Sequence, residues 1–226
     1  LREAGLPDGV INLVYGAGAD VGDPVLADPN LAGIHFTGST GVFHKMWKTV
    51  ASNIDRYKAY PRLVGETGGK DFILAHRSAD PVALTTAIVR GAFEYQGQKC
   101  SAASRVYIPS NIWPLIKDDL IAQVESIKMG DVRDFGNFMG AVIDAKSFKT
   151  QANAIDEAKA ASDAAIIAGG TYDDSTGWFV RPTILKTDNP SCRTLFGALF
   201  GPGPQHAGAD RARGCGAVRR ERSPGH

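Results

Sequence analysis

Two side chains in this sequence have the types and neighbours needed for covalent chemistry. Cys100 lies in Phe93-Glu94-Tyr95-Gln96-Gly97-Gln98-Lys99-Cys100-Ser101-Ala102, where a helix-like pattern breaks at Gly97 into a polar loop. Glu66 lies in Gly65-Glu66-Thr67-Gly68-Gly69-Lys70-Asp71, a carboxylate closely followed by a glycine pair. A thiol attacks as the thiolate and needs a base or an electropositive setting to form it, so a cysteine and a carboxylate on irregular segments suggest nucleophile and base. Each has an ordinary alternative. A free cysteine commonly serves as a small buried apolar residue, and Glu66 reads equally as a surface charge at a strand end. The polar, broken text around Cys100 argues against a core position. The two glycines after Glu66 allow a ligand to lie against backbone.

A third segment suggests anion binding. Gly33-Ile34-His35-Phe36-Thr37 reads as a strand leading into Gly38-Ser39-Thr40-Gly41. Phe43, Met46, Trp47, Val50 and Ile54 then recur at helical spacing and form one apolar face. The start of such a helix exposes N–H groups and the positive end of the dipole, with Gly38 and Gly41 permitting close approach. Ser39 or Thr40 also reads simply as a helix cap, and the two roles are compatible. Gly16-Ala17-Gly18 gives a weaker version of the same layout.

The elements that would position these residues alternate. Leu1–Leu6 reads as a helix end stopped by Gly5 and Pro7, Val10–Tyr15 as a buried strand, and Asp20–Ala27 as a short helix. Strands are expected at Leu63–Glu66, Asp71–Leu74, Arg105–Ile108, Ala165–Ala168 and Trp178–Val180. Asp80 is expected to cap a helix with Val82, Ile88, Val89, Ala92 and Phe93 on its apolar face. Further helices are expected at Ile112–Val124 and Asp144–Ser162. The result is an α/β class with largely parallel sheets.

Composition narrows the function classes. The 226 residues are 43% hydrophobic and 22% charged, with net charge +1, which implies neither nucleic acid nor an acidic membrane as partner. No apolar run reaches the roughly 18 residues of a bilayer span, and no signal peptide is visible. A first residue other than Met suggests a start further upstream. Cys100, Cys192 and Cys215 are odd in number and scattered, so a disulfide framework is not expected and a reducing compartment fits. The histidines lack ligand spacing, so no metal is expected. Residues 201–226 carry five Arg against Asp210 and Glu221, and 18 of those 26 residues are Gly, Arg, Ala or Pro. Disorder without strands is the expectation there, as in text from GC-rich DNA translated out of frame.

Phe36-Thr37-Gly38-Ser39, Gly65-Glu66-Thr67-Gly68-Gly69-Lys70 and Gly97-Gln98-Lys99-Cys100 together resemble three signatures of the aldehyde dehydrogenase superfamily, in its order and with its 34-residue interval from Glu66 to Cys100. The text from Tyr60 to Asp71 and from Ala92 to Ala102 is similar to the branch that oxidises L-glutamate γ-semialdehyde to glutamate, and the likeness runs to about residue 196.

The resemblance implies a partial Rossmann-type NAD-binding domain over 1–66, a partial α/β catalytic domain over 67–196 and a non-family tail over 197–226. It implies Cys100 as nucleophile, Glu66 as base for thioester hydrolysis and Ser101 on the substrate carboxylate. Thr37, Gly38, Ser39, Thr40, Gly41, Val42, Gly68 and Phe200 would contact NAD. It further implies a small-molecule substrate, a homo-oligomer, and a cytoplasmic or mitochondrial-matrix setting. The family's oxyanion asparagine and adenosine-ribose lysine would precede Leu1, and Ala198 stands where its Glu-x-Phe-Gly-Pro motif has glutamate. The competing expectations are an inactive piece of that enzyme with weak nucleotide binding, and a cysteine acyltransferase or redox sensor working without NAD.

Overall fold

The computed structural model describes residues 1–187, 189 and, as backbone, 205–210. The chain divides into two compact units, Leu1–Gly68 and Gly69–His226.

The first unit contains α1 (Gly18–Ala27), β1 (Gly33–Gly38), α2 (Thr40–Ser52), a single 3-10 turn (Ile54–Arg56) and β2 (Arg62–Thr67). The two strands pair in parallel, which puts Thr37 opposite Glu66 and Gly38 opposite Thr67. Leu26, Val50 and Tyr57 form the buried centre, with Ile34, Met46 and Leu63 packed on it. The Tyr57 hydroxyl donates to the Leu26 carbonyl at 2.6 Å, so the buried phenol is satisfied. Phe43 stacks on Phe36 at 5.9 Å and meets Trp47 edge-on. A Cβ on Gly65 would come within 2.4 Å of the Phe43 ring. The glycine before Glu66 is therefore what lets α2 close onto β2.

Two expectations in this unit change. Val10–Tyr15 forms no strand: Val10 and Ile11 lie in a bend, and Ile11 is 65% and Tyr15 86% exposed. Its apolar text suits a strand, but ladder formation needs a neighbour, and none of the described strands runs beside it. Ile54 falls beyond α2 in the 3-10 turn and is exposed, leaving Val50 as the buried residue of the helix. Leu1–Leu6 forms a turn with the hydrogen-bond pattern of a helix C-terminus: Leu6 N–H donates to Leu1 O, Gly5 N–H donates to Arg2 O, and Gly5 has φ +86°.

The second unit begins with β3 (Phe72–Leu74), α3 (Pro81–Phe93), β4 (Arg105–Pro109) and α4 (Trp113–Glu125). It continues with α5 (Ala145–Ala160), β5 (Ala164–Ala168), β6 (Tyr172–Asp173), β7 (Phe179–Val180), β8 (Ile184–Thr187) and β9 (Gln205–Asp210). The main sheet runs β3-β4-β9-β8-β5, parallel except for the β5–β8 pair. Ile88, Ala92 and Phe93 of α3 pack with Ile116, Leu120 and Val124 of α4 over Val106, Ile108 and Ile184. Asp80 accepts from Ala83 N–H at 2.8 Å and Asp144 from Ser147 N–H at 2.7 Å, so both helices start at side-chain caps. Val82, expected on the buried face of α3, is 71% exposed, and Leu84 and Thr85 are buried instead.

Gln205–Asp210 falls in the stretch expected to lack strands, yet it lies between β4 and β8 in the sheet. Ladder bonds come from backbone groups, so two parallel neighbours can hold a strand whose composition is poor in large apolar residues. The other residues of 201–226, and Ala198 and Phe200 before them, lie outside the described residues. No described helix is long and apolar enough to cross a membrane.

Candidate active site

In the first unit the candidate residues gather at the C-terminal end of the parallel pair. Ser39 is the N-cap of α2, and its Oγ accepts from Val42 N–H at 3.3 Å. Capping is thus its observed role, and it leaves the other N–H groups of the first turn facing outward. A Cβ on Gly41 would meet open space, whereas one on Gly38 would strike the Phe36 ring at 2.5 Å. Gly41 therefore keeps the helix start accessible, and Gly38 makes room for Phe36. Thr40, Gly41 and Val42 form that first turn, and all three are exposed. Glu66 is exposed one strand over, opposite Thr37, and Gly68 follows just beyond the end of β2. Parallel pairing thus brings Glu66 beside the strand that feeds the capped helix start. Exposed N–H groups next to open backbone suit a pyrophosphate.

In the second unit the chain leaves α3 through Glu94–Gly97 into the Cys100 loop. Tyr95 and Gln96 have φ of 55° and 56°, and Gly97 has 63°. Three successive left-handed residues, two with side chains, cost on the order of 1–3 kcal/mol each for the non-glycines. Such a bend persists only where its surroundings hold it. Glu94 supplies one hold, joining Arg90 at 2.6 Å and Lys99 at 2.6 Å. The Lys99 ammonium, followed by Arg90, keeps the Glu94 carboxyl below its usual range. Gln96 and Gln98 supply the others: Gln96 Nε2 donates to Ala141 O at 3.3 Å, and Gln98 Oε1 accepts from Ile143 N–H at 2.9 Å.

The loop presents its chemistry outward. Cys100 is a free, exposed thiol, and Ser101 beside it is exposed too. Gly69 lies under this loop, since a Cβ there would stand 2.8 Å from the Cys100 carbonyl oxygen. Next to Gly69, burial and then the nearby Arg105 push Lys70 down to about 8. Arg105 Nη2 donates to Lys70 O at 2.8 Å.

The residues of the three sequence signatures match a known family. The aldehyde dehydrogenase family pattern covers residues 1–202. The chain belongs to the aldehyde dehydrogenase family. Among its relatives in that family, it is 52% identical over 204 residues to the mitochondrial delta-1-pyrroline-5-carboxylate dehydrogenase of Dictyostelium discoideum, covering 89% of this chain and 37% of that protein. The human mitochondrial enzyme of that name is 47% identical, with 89% and 36% covered. The crystal structure of the Mycobacterium tuberculosis delta-pyrroline-5-carboxylate dehydrogenase superposes with a TM-score of 0.86 at 51% identity, over 92% of this chain and 38% of that one. The same protein crystallised with NAD gives 0.85. The chain therefore spans under two fifths of the length of these delta-1-pyrroline-5-carboxylate dehydrogenases.

The supports of the Cys100 loop escaped sequence reasoning to different degrees. The i,i+4 spacing of Arg90 and Glu94 signals an ion pair on a helix end. The partners of Gln96 and Gln98 lie 45 residues away, and no local pattern announces them.

Proposed function

We propose that this chain carries the nucleophile and base of an NAD-dependent aldehyde dehydrogenase that oxidises L-glutamate γ-semialdehyde to L-glutamate. The observation that carries the reading is the exposed Cys100 thiol on a loop held in a left-handed bend, inside text about half identical to delta-1-pyrroline-5-carboxylate dehydrogenases. Cys100 Sγ, as thiolate, adds to the aldehyde carbon, and the carbonyl oxygen takes the negative charge in a thiohemiacetal. The backbone N–H of Cys100 would help to stabilise that oxygen. NAD, when bound, would supply the hydride acceptor that takes this adduct to a thioester. Glu66 takes a proton from water as the water oxygen adds to the thioester carbon. Collapse breaks the C–S bond, releasing the new carboxylate and returning the thiolate.

The first turn of α2 at Ser39–Val42, with Thr37 and Gly38 leading into it, would hold the cofactor pyrophosphate, and open space at Gly41 fits a group lying on backbone. Gly68 would face the nicotinamide, and Phe200 is assigned to the cofactor by sequence likeness alone. Ser101 would bond the substrate's α-carboxylate, placing a hydroxyl beside the nucleophile for a substrate that carries a carboxylate at its far end. A small-molecule substrate and a homo-oligomer fit the same reading. The test is NADH formation when the purified chain meets the semialdehyde and NAD. Turnover that Cys100→Ala abolishes supports the assignment, and turnover surviving that change overturns it.

A further inference from the structure

We propose that Gln98 and Gln96 are positioning residues for Cys100: two side-chain amides that strap the nucleophile loop to the segment 141–143. This rests on the reading of Cys100 as nucleophile. The strap has the form of a short ladder made by side chains. Gln96 Nε2 donates to the carbonyl of Ala141, and Gln98 Oε1 accepts the N–H of Ile143. An amide has one donating and one accepting end, so the two backbone partners fix which end of each glutamine faces them. Gln96 lies within the bend and Gln98 directly follows Gly97, the last of the three left-handed residues, so the two amides hold the bend from its middle and from its exit towards Cys100.

The anchor is itself fixed. Val142, between the two contacts, is 3% exposed and packs with Ile155 and Val180. Its N–H donates to Trp178 O at 2.9 Å, next to β7. The loop is thus tied to a segment held by its own core cluster. Helix α3 holds the other end through Glu94. A left-handed bend at Tyr95 and Gln96 does not persist by backbone preference, so the side chains that pin it determine where the thiol sits.

The geometry makes opposite demands on one substitution. Gln98→Glu keeps an acceptor for Ile143 N–H, while Gln98→Met removes it. Gln96→Glu removes the donor and sets a carboxylate against the Ala141 carbonyl. The readout is the rate of Cys100 alkylation by iodoacetamide, followed by mass spectrometry of the Cys100 peptide over a pH series. The high-pH plateau reports presentation of the fully ionised thiol and separates it from any change in its ionisation. Positioning predicts a plateau within about twofold of wild type for Gln98→Glu, and altered at least about threefold for Gln98→Met and Gln96→Glu.

Unchanged plateaus in those two variants, with only a lowered unfolding temperature, would make the strap a stability device and overturn the proposal. A Gln98→Glu plateau altered as much as that of Gln96→Glu would also overturn it, a comparison that stands even if the methionine variant does not fold. Alkylation needs neither aldehyde nor NAD, so these outcomes are independent of whether the chain turns over substrate.

Discussion

Gly69 lies against the backbone of Cys100 so closely that a Cβ on it would stand 2.8 Å from the Cys100 carbonyl oxygen. The same Cβ would meet Asp71 Oδ1 at 2.8 Å, but that carboxylate is a side chain and can turn away. The carbonyl belongs to a loop already pinned at Glu94, Gln96 and Gln98 and cannot yield without moving the thiol. The glycine after Gly68 is therefore required by packing against the Cys100 loop.

Gly69→Ala is accordingly expected to cost about 1–3 kcal/mol of stability, as overpacking does. It should also alter the alkylation rate of Cys100. Denaturant unfolding and peptide-resolved alkylation check the two effects. A variant with wild-type stability and thiol reactivity would mean that the loop gives way freely at this point.

Lys70 gives a pH dependence with a defined sign. Burial, helped by Arg105, lowers it to about 8 in the folded chain from an ordinary 10.5. Below about 8 it is charged in both states and the folded chain bears the cost of burying the charge. Between about 8 and 10.5 the unfolded chain binds more protons, so stability rises with pH through that window. Other groups titrate there too, so the relevant quantity is the stability of wild type minus that of Lys70→Met. That difference should grow in favour of wild type as pH rises through the window. A flat or falling difference would show that Lys70 keeps its proton in the fold.

The parts of this structure legible in the sequence are those specified by neighbours in the chain. The caps at Ser39, Asp80 and Asp144 each involve a residue three positions on, and all three stand at helix starts. The run of strand, polar turn and helix around Ser39 is equally local. Pairing and long-range support are not local. Val10–Tyr15 has strand-like residues but no neighbouring strand, and Gln205–Asp210 has neighbours on both sides but little strand-like text. Val82 and Leu84 are both apolar, and only the packing of α3 on α4 decides which is buried. Around Cys100, the cysteine, its glycine and the nearby charges are visible in the sequence. The left-handed turn at Tyr95 and Gln96 and its ties to Ala141 and Ile143 depend on contacts that form only in the fold.

The assignment of Glu66 is separable from that of Cys100 by kinetics. Glu66 is exposed at the end of β2, opposite Thr37, where a carboxylate is open to water and to whatever occupies the start of α2. Its proposed task comes after hydride transfer, when water must lose a proton to attack the thioester. Glu66→Gln keeps the shape and removes the ability to take that proton. The expected result is a rapid burst of NADH, stoichiometric with Cys100, followed by a steady state slowed by roughly 10²–10⁴-fold. Stopped-flow absorbance of NADH resolves the two phases. Loss of the burst itself would place Glu66 at an earlier step, as the base that ionises the thiol, and a steady state equal to wild type would remove it from the chemistry altogether.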